Sequence, residues 1–209
     1  MEQVSRVAGT VRPGGRTARV RAAVLQATQD ELVEHGFQGL TMDQVAVRAG
    51  VGKTTVYRRW GSPAGLVTDL MTELADQSSP RADTGSIDGD LRANALAVHA
   101  ALTDGRLGVT FEAMIAAATC DAQAANALRA FCRRRLEEWA GAVELAVKRK
   151  ELPAGTDAVE LVRAVSAPLF YRLVVTRESV TAEDAERSAV RALIAARAGA
   201  FAPGCPVAP

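Results

Sequence analysis

Two short helical segments meeting across Gly50-Val51-Gly52 constrain this 209-residue chain more than any other feature. The first is predicted over 42–49. Thr41 stands before it as an N-cap, with polar Asp43 and Gln44 in its first turn and Val45 and Ala46 facing inward. The second is predicted over 53–60 and ends at Gly61, with Val56 and Trp60, four apart, forming its inward face. A glycine in the connection permits the left-handed backbone that so short a turn requires. The pair therefore reads as a helix-turn-helix, not as one long helix.

The flanking sequence is helical as well. Val20, Val24, Ala27, Leu32 and Val33 recur at helical spacing from about Thr17 to Gly36, which closes that helix, and Phe37 and Leu40 follow as plugs for a core. Ser62-Pro63 opens a fourth helix to about Asp76, with Ser as cap and Pro at the first helical position. After a turn-rich linker over 77–86, helices are expected over about 87–103, 106–118, 121–150 and 157–177, the last bent or interrupted at Pro168. Thr181-Ala-Glu-Asp is a capping-box pattern opening a final helix to about Arg197. No strand-like alternation and no internal repeat is present, so the fold class is all-α, with nine helices. The expected organisation is a flexible basic arm at 1–16, a helix-turn-helix domain at 17–63, a larger helical body at 64–200 and a disordered tail at 201–209.

Composition narrows the function. With 48% hydrophobic residues and a net charge of +1, the chain can bury a core, and neither disorder nor a uniformly basic coat is expected. No charge-free apolar run reaches membrane-spanning length, and the N-terminus lacks the apolar stretch of a signal peptide. Three cysteines without a CxxC pair point to a reducing, cytoplasmic setting. Two distant histidines, and the absence of any paired-carboxylate, Ser/His/Asp, Glu-x-x-His or phosphate-loop pattern, argue against an enzyme, and no cofactor or metal is expected. Residues 1–63 carry nine basic and five acidic residues, whereas the remainder is mildly acidic. A basic head on such a body suits contact of the head alone with a polyanion.

The second short helix has the chemistry for that contact. Lys53, Thr54, Thr55, Tyr57, Arg58 and Arg59 can all donate hydrogen bonds, and no acid lies among them. In a helix-turn-helix the second helix lies in the DNA major groove, with its N-terminal residues at the base edges. There Arg can bind guanine O6 and N7, and Thr methyls can meet thymine methyls. Arg48 on the preceding helix joins the expected DNA-facing set.

The stretch Val20 to Leu70 resembles the DNA-binding head of the tetracycline-repressor (TetR) family of bacterial transcription regulators. The resemblance rests on Ala22-Ala23-Val24-Leu25, Glu34-His35-Gly36-Phe37, Leu40-Thr41-Met42, Val45-Ala46 and Ala49-Gly50-Val51, and most strongly on Lys53-Thr54-Thr55-Val56-Tyr57-Arg58-Arg59-Trp60. It implies a nine-helix homodimer on double-stranded operator DNA, with Thr41 holding a phosphate and Thr55 and Tyr57 touching backbone or bases. Lys53, Thr54 and Arg58 would then sit near bases. Two positions depart from the family pattern. Gly52 stands where Ser is frequent, which implies a recognition helix without a side-chain cap. Pro63 stands where a phosphate-reaching Lys is frequent, a loss that Arg58, Arg59 or Arg16, Arg19 and Arg21 could offset.

For the body, the resemblance implies a dimer interface and an effector pocket. The last two helices would pair with their twofold mates through Leu161, Val165, Leu169, Ala185, Ala189, Leu193 and Ala196. An unknown small molecule would be lined by His99, Phe111, Met114, Ile115, Trp139, Phe170 and Tyr171, although residues at this spacing more often form ordinary core. The expected function is a repressor released from a palindromic operator by that ligand. The alternative is a helical binding or scaffold protein that has lost specific DNA recognition.

Overall fold

The computed structural model describes residues 15–77 and 81–203, and among these every regular element is helical. The order is α1 (Gly15–Gly39), α2 (Met42–Arg48), α3 (Lys53–Trp60), α4 (Pro63–Asp76), α5 (Ile87–Thr103), α6 (Leu107–Cys120), α7 (Ala122–Lys148), α8 (Ala158–Phe170) and α9 (Ala182–Arg197). A π-helical stretch, Tyr171–Val175, continues α8. Residues 1–14 of the arm expected at 1–16, and 204–209 of the tail expected at 201–209, lie outside the described residues, but Gly15 and Arg16 already belong to α1.

The helix ends follow their capping chemistry. Thr41, Ser62, Ser86, Asp121, Asp157 and Thr181 each accept a backbone N–H in the first turn of the helix they precede. Thr181 and Asp184 form the reciprocal capping box. Gly36 (φ +65°) leaves the helical conformation and closes the long first part of α1 as expected, and a short further turn runs to Gly39. One expectation changes. Pro168 sits within α8, and the backbone beyond it widens into the π stretch instead of breaking there.

Two hydrophobic cores organise the described residues. The first joins α1–α4 to α6 and the N-terminal half of α7, around Val24, Leu32, Val56, Leu66, Met71 and Met114. The second joins α5, the C-terminal half of α7, α8 and α9, around Ile87, Leu91, Leu161, Leu169 and Leu193. Phe201, expected in the disordered tail, packs against this second core, and its carbonyl accepts the N–H of Asp157 at 2.7 Å.

The first core reaches the body through polar links as well. Arg106, at the N-cap of α6, pairs with Asp30 on α1, and Gln29 donates to Thr110 on α6 at 3.3 Å. Arg134 on α7 pairs with Asp76 at the end of α4 at 2.5 Å.

Candidate nucleic-acid interface

The turn between α2 and α3 is closed by backbone bonds. The N–H of Gly50 donates to Val47 at 3.1 Å and that of Val51 to Ala46 at 3.0 Å. Gly50 adopts φ +63°, the conformation expected of the glycine in this turn. Gly52 then precedes α3 without a side-chain cap, as its replacement of Ser implied. At the far end Gly65 lets α4 start close against α3, because a Cβ there would stand 2.0 Å from the Trp60 carbonyl oxygen.

Four diagonals divide the surface of α3. Val56 and Trp60 point inward and are buried. The Trp60 indole N–H donates to Asp69 on α4 at 2.9 Å, and Asp69 pairs with Arg21 on α1 at 2.7 Å. Arg21 reaches Glu73 too, so one cluster ties α1, α3 and α4 together. Burial pushes the Asp69 carboxyl up, but hydrogen bonds from Arg21 and Trp60 outweigh this and leave it below its ordinary range. Arg21, expected as a possible phosphate contact, is thereby committed to internal packing.

The other three diagonals carry the expected DNA-facing residues. Lys53 and Tyr57 lie toward α2, where the Lys53 ammonium is 2.5 Å from Asp43. Lys53 first, with the Tyr57 hydroxyl contributing, holds the Asp43 carboxyl below its usual range. Thr54 and Arg58 are exposed, and Arg58 makes no ion pair among the described residues. Thr55 and Arg59 lie toward α1, where the Arg59 guanidinium stacks 4.9 Å above the Trp60 ring and reaches the Thr17 carbonyl at 3.5 Å. A groove of about 740 Å³ runs between the start of α1 and α3, lined in part by Arg16, Thr55, Arg58 and Arg59. Thr41 is exposed at the entry to α2, and its hydroxyl caps that helix through Gln44 N–H at 3.2 Å.

Arg48 stands apart from this set. Its Nε donates to Glu31 at 2.7 Å, and both its terminal nitrogens donate to Glu34 at 2.6 Å. Glu31 is buried and also lies 3.0 Å from His35 Nδ1, so Arg48 fastens α2 to α1. The sequence offered signals for these partners, since Glu31, Glu34 and His35 share one face of α1. It carried none for the Arg21–Asp69 pair, whose members lie 48 positions apart.

The body residues divide differently from expectation. Phe111 and Met114 belong with the first core, where Phe111 packs 5.6 Å from Phe131 at a tilt of 57°. Trp139 belongs to the second core, and His99 donates from Nε2 to the Val180 carbonyl at 2.8 Å. Ile115 and Phe170 are half-buried and Tyr171 is 58% exposed. Leu161, Val165, Leu169, Ala185, Ala189, Leu193 and Ala196 are all buried within the single chain. They pack α8 and α9 into the protomer's own core, which corrects their expected place in a dimer interface. The apolar surface left outward is Tyr171, Val175 and Ile194.

Among the described residues no group of His, Cys, Asp and Glu could hold a metal ion, and no helix is long and apolar enough to cross a membrane.

Known proteins share both halves of this arrangement. Residues 24–70 match the family model for bacterial regulatory proteins of the tetR family, and residues 81–196 match that for the tetracyclin repressor-like C-terminal domain. The chain is 33% identical to the HTH-type transcriptional regulator YdeS of Bacillus subtilis over 160 residues, 76% of this chain and 80% of that protein. Over 71 residues it is 37% identical to the DNA-binding transcriptional repressor TetR of Mycobacteroides abscessus, covering 34% of this chain and 37% of the repressor. Among solved structures, the TetR family transcription regulator SCO0332 superposes with a TM-score of 0.67 at 28% identity, over 84% of this chain and 97% of that one.

Proposed function

Because this chain belongs to the TetR family of bacterial DNA-binding transcription regulators, which are not enzymes, we propose that it is a homodimeric repressor of a near-palindromic operator, released when a small molecule binds its body. The observation that carries the DNA reading is the surface of α3. Its outward diagonals bear only hydrogen-bond donors, and among the described residues Arg58 is committed to no ion pair. A twofold dimer would set two such helices in successive major grooves, roughly 34–36 Å apart or a multiple of that.

The outward apolar surface at Tyr171, Val175 and Ile194 supports a partner covering α8, its π continuation and α9. In this reading the interface uses the faces opposite those that build the protomer core. The Arg106–Asp30 and Gln29–Thr110 contacts support a route from body to head, since any shift of α6 moves against α1. A ligand releases DNA only as far as it prefers the displaced arrangement.

Selection of bound duplexes from a random pool at moderate salt tests the proposal. It should return a near-palindrome, and the protein should sediment as a dimer. A folded protein returning no motif would overturn the operator reading in favour of a helical binding protein, and a monomer would overturn the interface.

A further inference from the structure

Lys53 is the first residue of α3 and stands at the tip that meets base edges in a helix-turn-helix. A lysine in that place has two kinds of anionic partner: any backbone phosphate, or the O6 and N7 acceptors of guanine. An ammonium on a flexible stem is a point charge that ordinarily takes the phosphate. Here the choice is biased before DNA arrives. Asp43, in the first turn of α2, lies 2.5 Å from the ammonium, and both side chains remain about half exposed. Tyr57 shares this carboxylate from one turn further along α3. The ammonium keeps two donors while paired, but a phosphate taken beside the pair would set the Asp43 carboxylate against a second anion. An approach along the groove floor keeps the pair intact. Lys53 then retains donors for guanine, and the Asp43 carboxylate can accept from a cytosine N4 amino group.

We propose that Asp43 makes Lys53 a reader of one guanine–cytosine pair in each half-site instead of a phosphate contact. Asp43 is thus a specificity-determining residue that acts through Lys53. This rests on α3 entering the major groove, as proposed above. An exposed ion pair contributes little to stability, so a purely structural role would leave the DNA readouts unmoved.

The test is a double-mutant cycle of Asp43→Asn and Lys53→Gln. Salt dependence is measured on the selected operator and on an unrelated duplex, and base preference is measured across each half-site. Asp43→Asn frees Lys53 for phosphate. The slope of log affinity against log salt should steepen by about 0.9 per bound protomer. Binding to the unrelated duplex should rise, and a guanine–cytosine preference should flatten at one position. Asp43→Glu should retain wild-type behaviour, and the slope change should vanish in the Lys53→Gln background. Unchanged slope and preference in Asp43→Asn would overturn the proposal, as would an equal steepening without Lys53. Failure of the wild type to select any site would instead overturn the operator reading on which it rests.

Discussion

Around Val24, Val56, Leu66 and Met114 the chain closes a core whose outer surface at α3 is polar and basic. Around Leu91, Leu161, Leu169 and Leu193 it closes a second core whose outer surface is still apolar at Tyr171, Val175 and Ile194. On α3, Val56 and Trp60 are the apolar pair and all else is a donor, so spacing alone separates inside from outside. On α8 and α9 apolar residues occupy most of the circumference. Spacing there identifies a helix without saying which stripe its own core consumes.

Core truncation should show the largest effect of this difference. Leu161→Ala, at a fully buried site, should cost about 2–5 kcal/mol of unfolding free energy in denaturant titration. Ile194→Asp, at a site 64% exposed in the protomer, should change protomer stability by no more than about 0.5 kcal/mol. It should nonetheless dissociate the dimer in sedimentation. A reversal of these two outcomes would return the buried stripe of α8 and α9 to the interface first expected for it.

Arg48→Ala sharpens the comparison within the head. It leaves buried Glu31 without its Arg48 partner and should cost about 1–3 kcal/mol of stability. The salt slope of DNA binding should stay unchanged. A slope shallower by about 0.9 per protomer would instead make Arg48 a phosphate contact. Arg58→Ala should do the opposite. Stability should hold, while operator affinity falls by about 1–3 kcal/mol and base preference relaxes at one position.

The smallest expected effect concerns Asp69. Its carboxyl is depressed in the folded protein, so the stability it contributes is present above the ordinary carboxylate range and is lost as pH falls through the lower, folded value. The denaturant midpoint should therefore drop below about pH 4, and Asp69→Asn should show a shallower acid limb. Equal acid limbs would remove Asp69 from the coupling of α1, α3 and α4.

Much of the fold was legible because its boundaries are written in local chemistry. Ser62-Pro63, Thr181 with Asp184, and the glycines around α2 and α3 state where helices begin and end within a few residues. The donors of α3 were legible for the same reason, since nothing about packing requires six of them in eight positions. What spacing could not supply was partnership. Arg21, Arg48 and Lys53 are all cations in the head, yet two are bound to distant or neighbouring carboxylates in packing roles and the third to Asp43 at the DNA-facing tip. The boundary between cores was illegible too, because α6 and half of α7 join the head only through tertiary packing.

The central claim is that the outward face of α3 reads DNA sequence. Its most direct test is duplex selection run in parallel on the wild type and on a folded Thr54→Ala, Thr55→Ala, Arg58→Ala variant. The wild type should return a near-palindrome with half-sites about one helical turn apart, and the variant should return a degenerate or altered motif. The same motif from both proteins would contradict the claim.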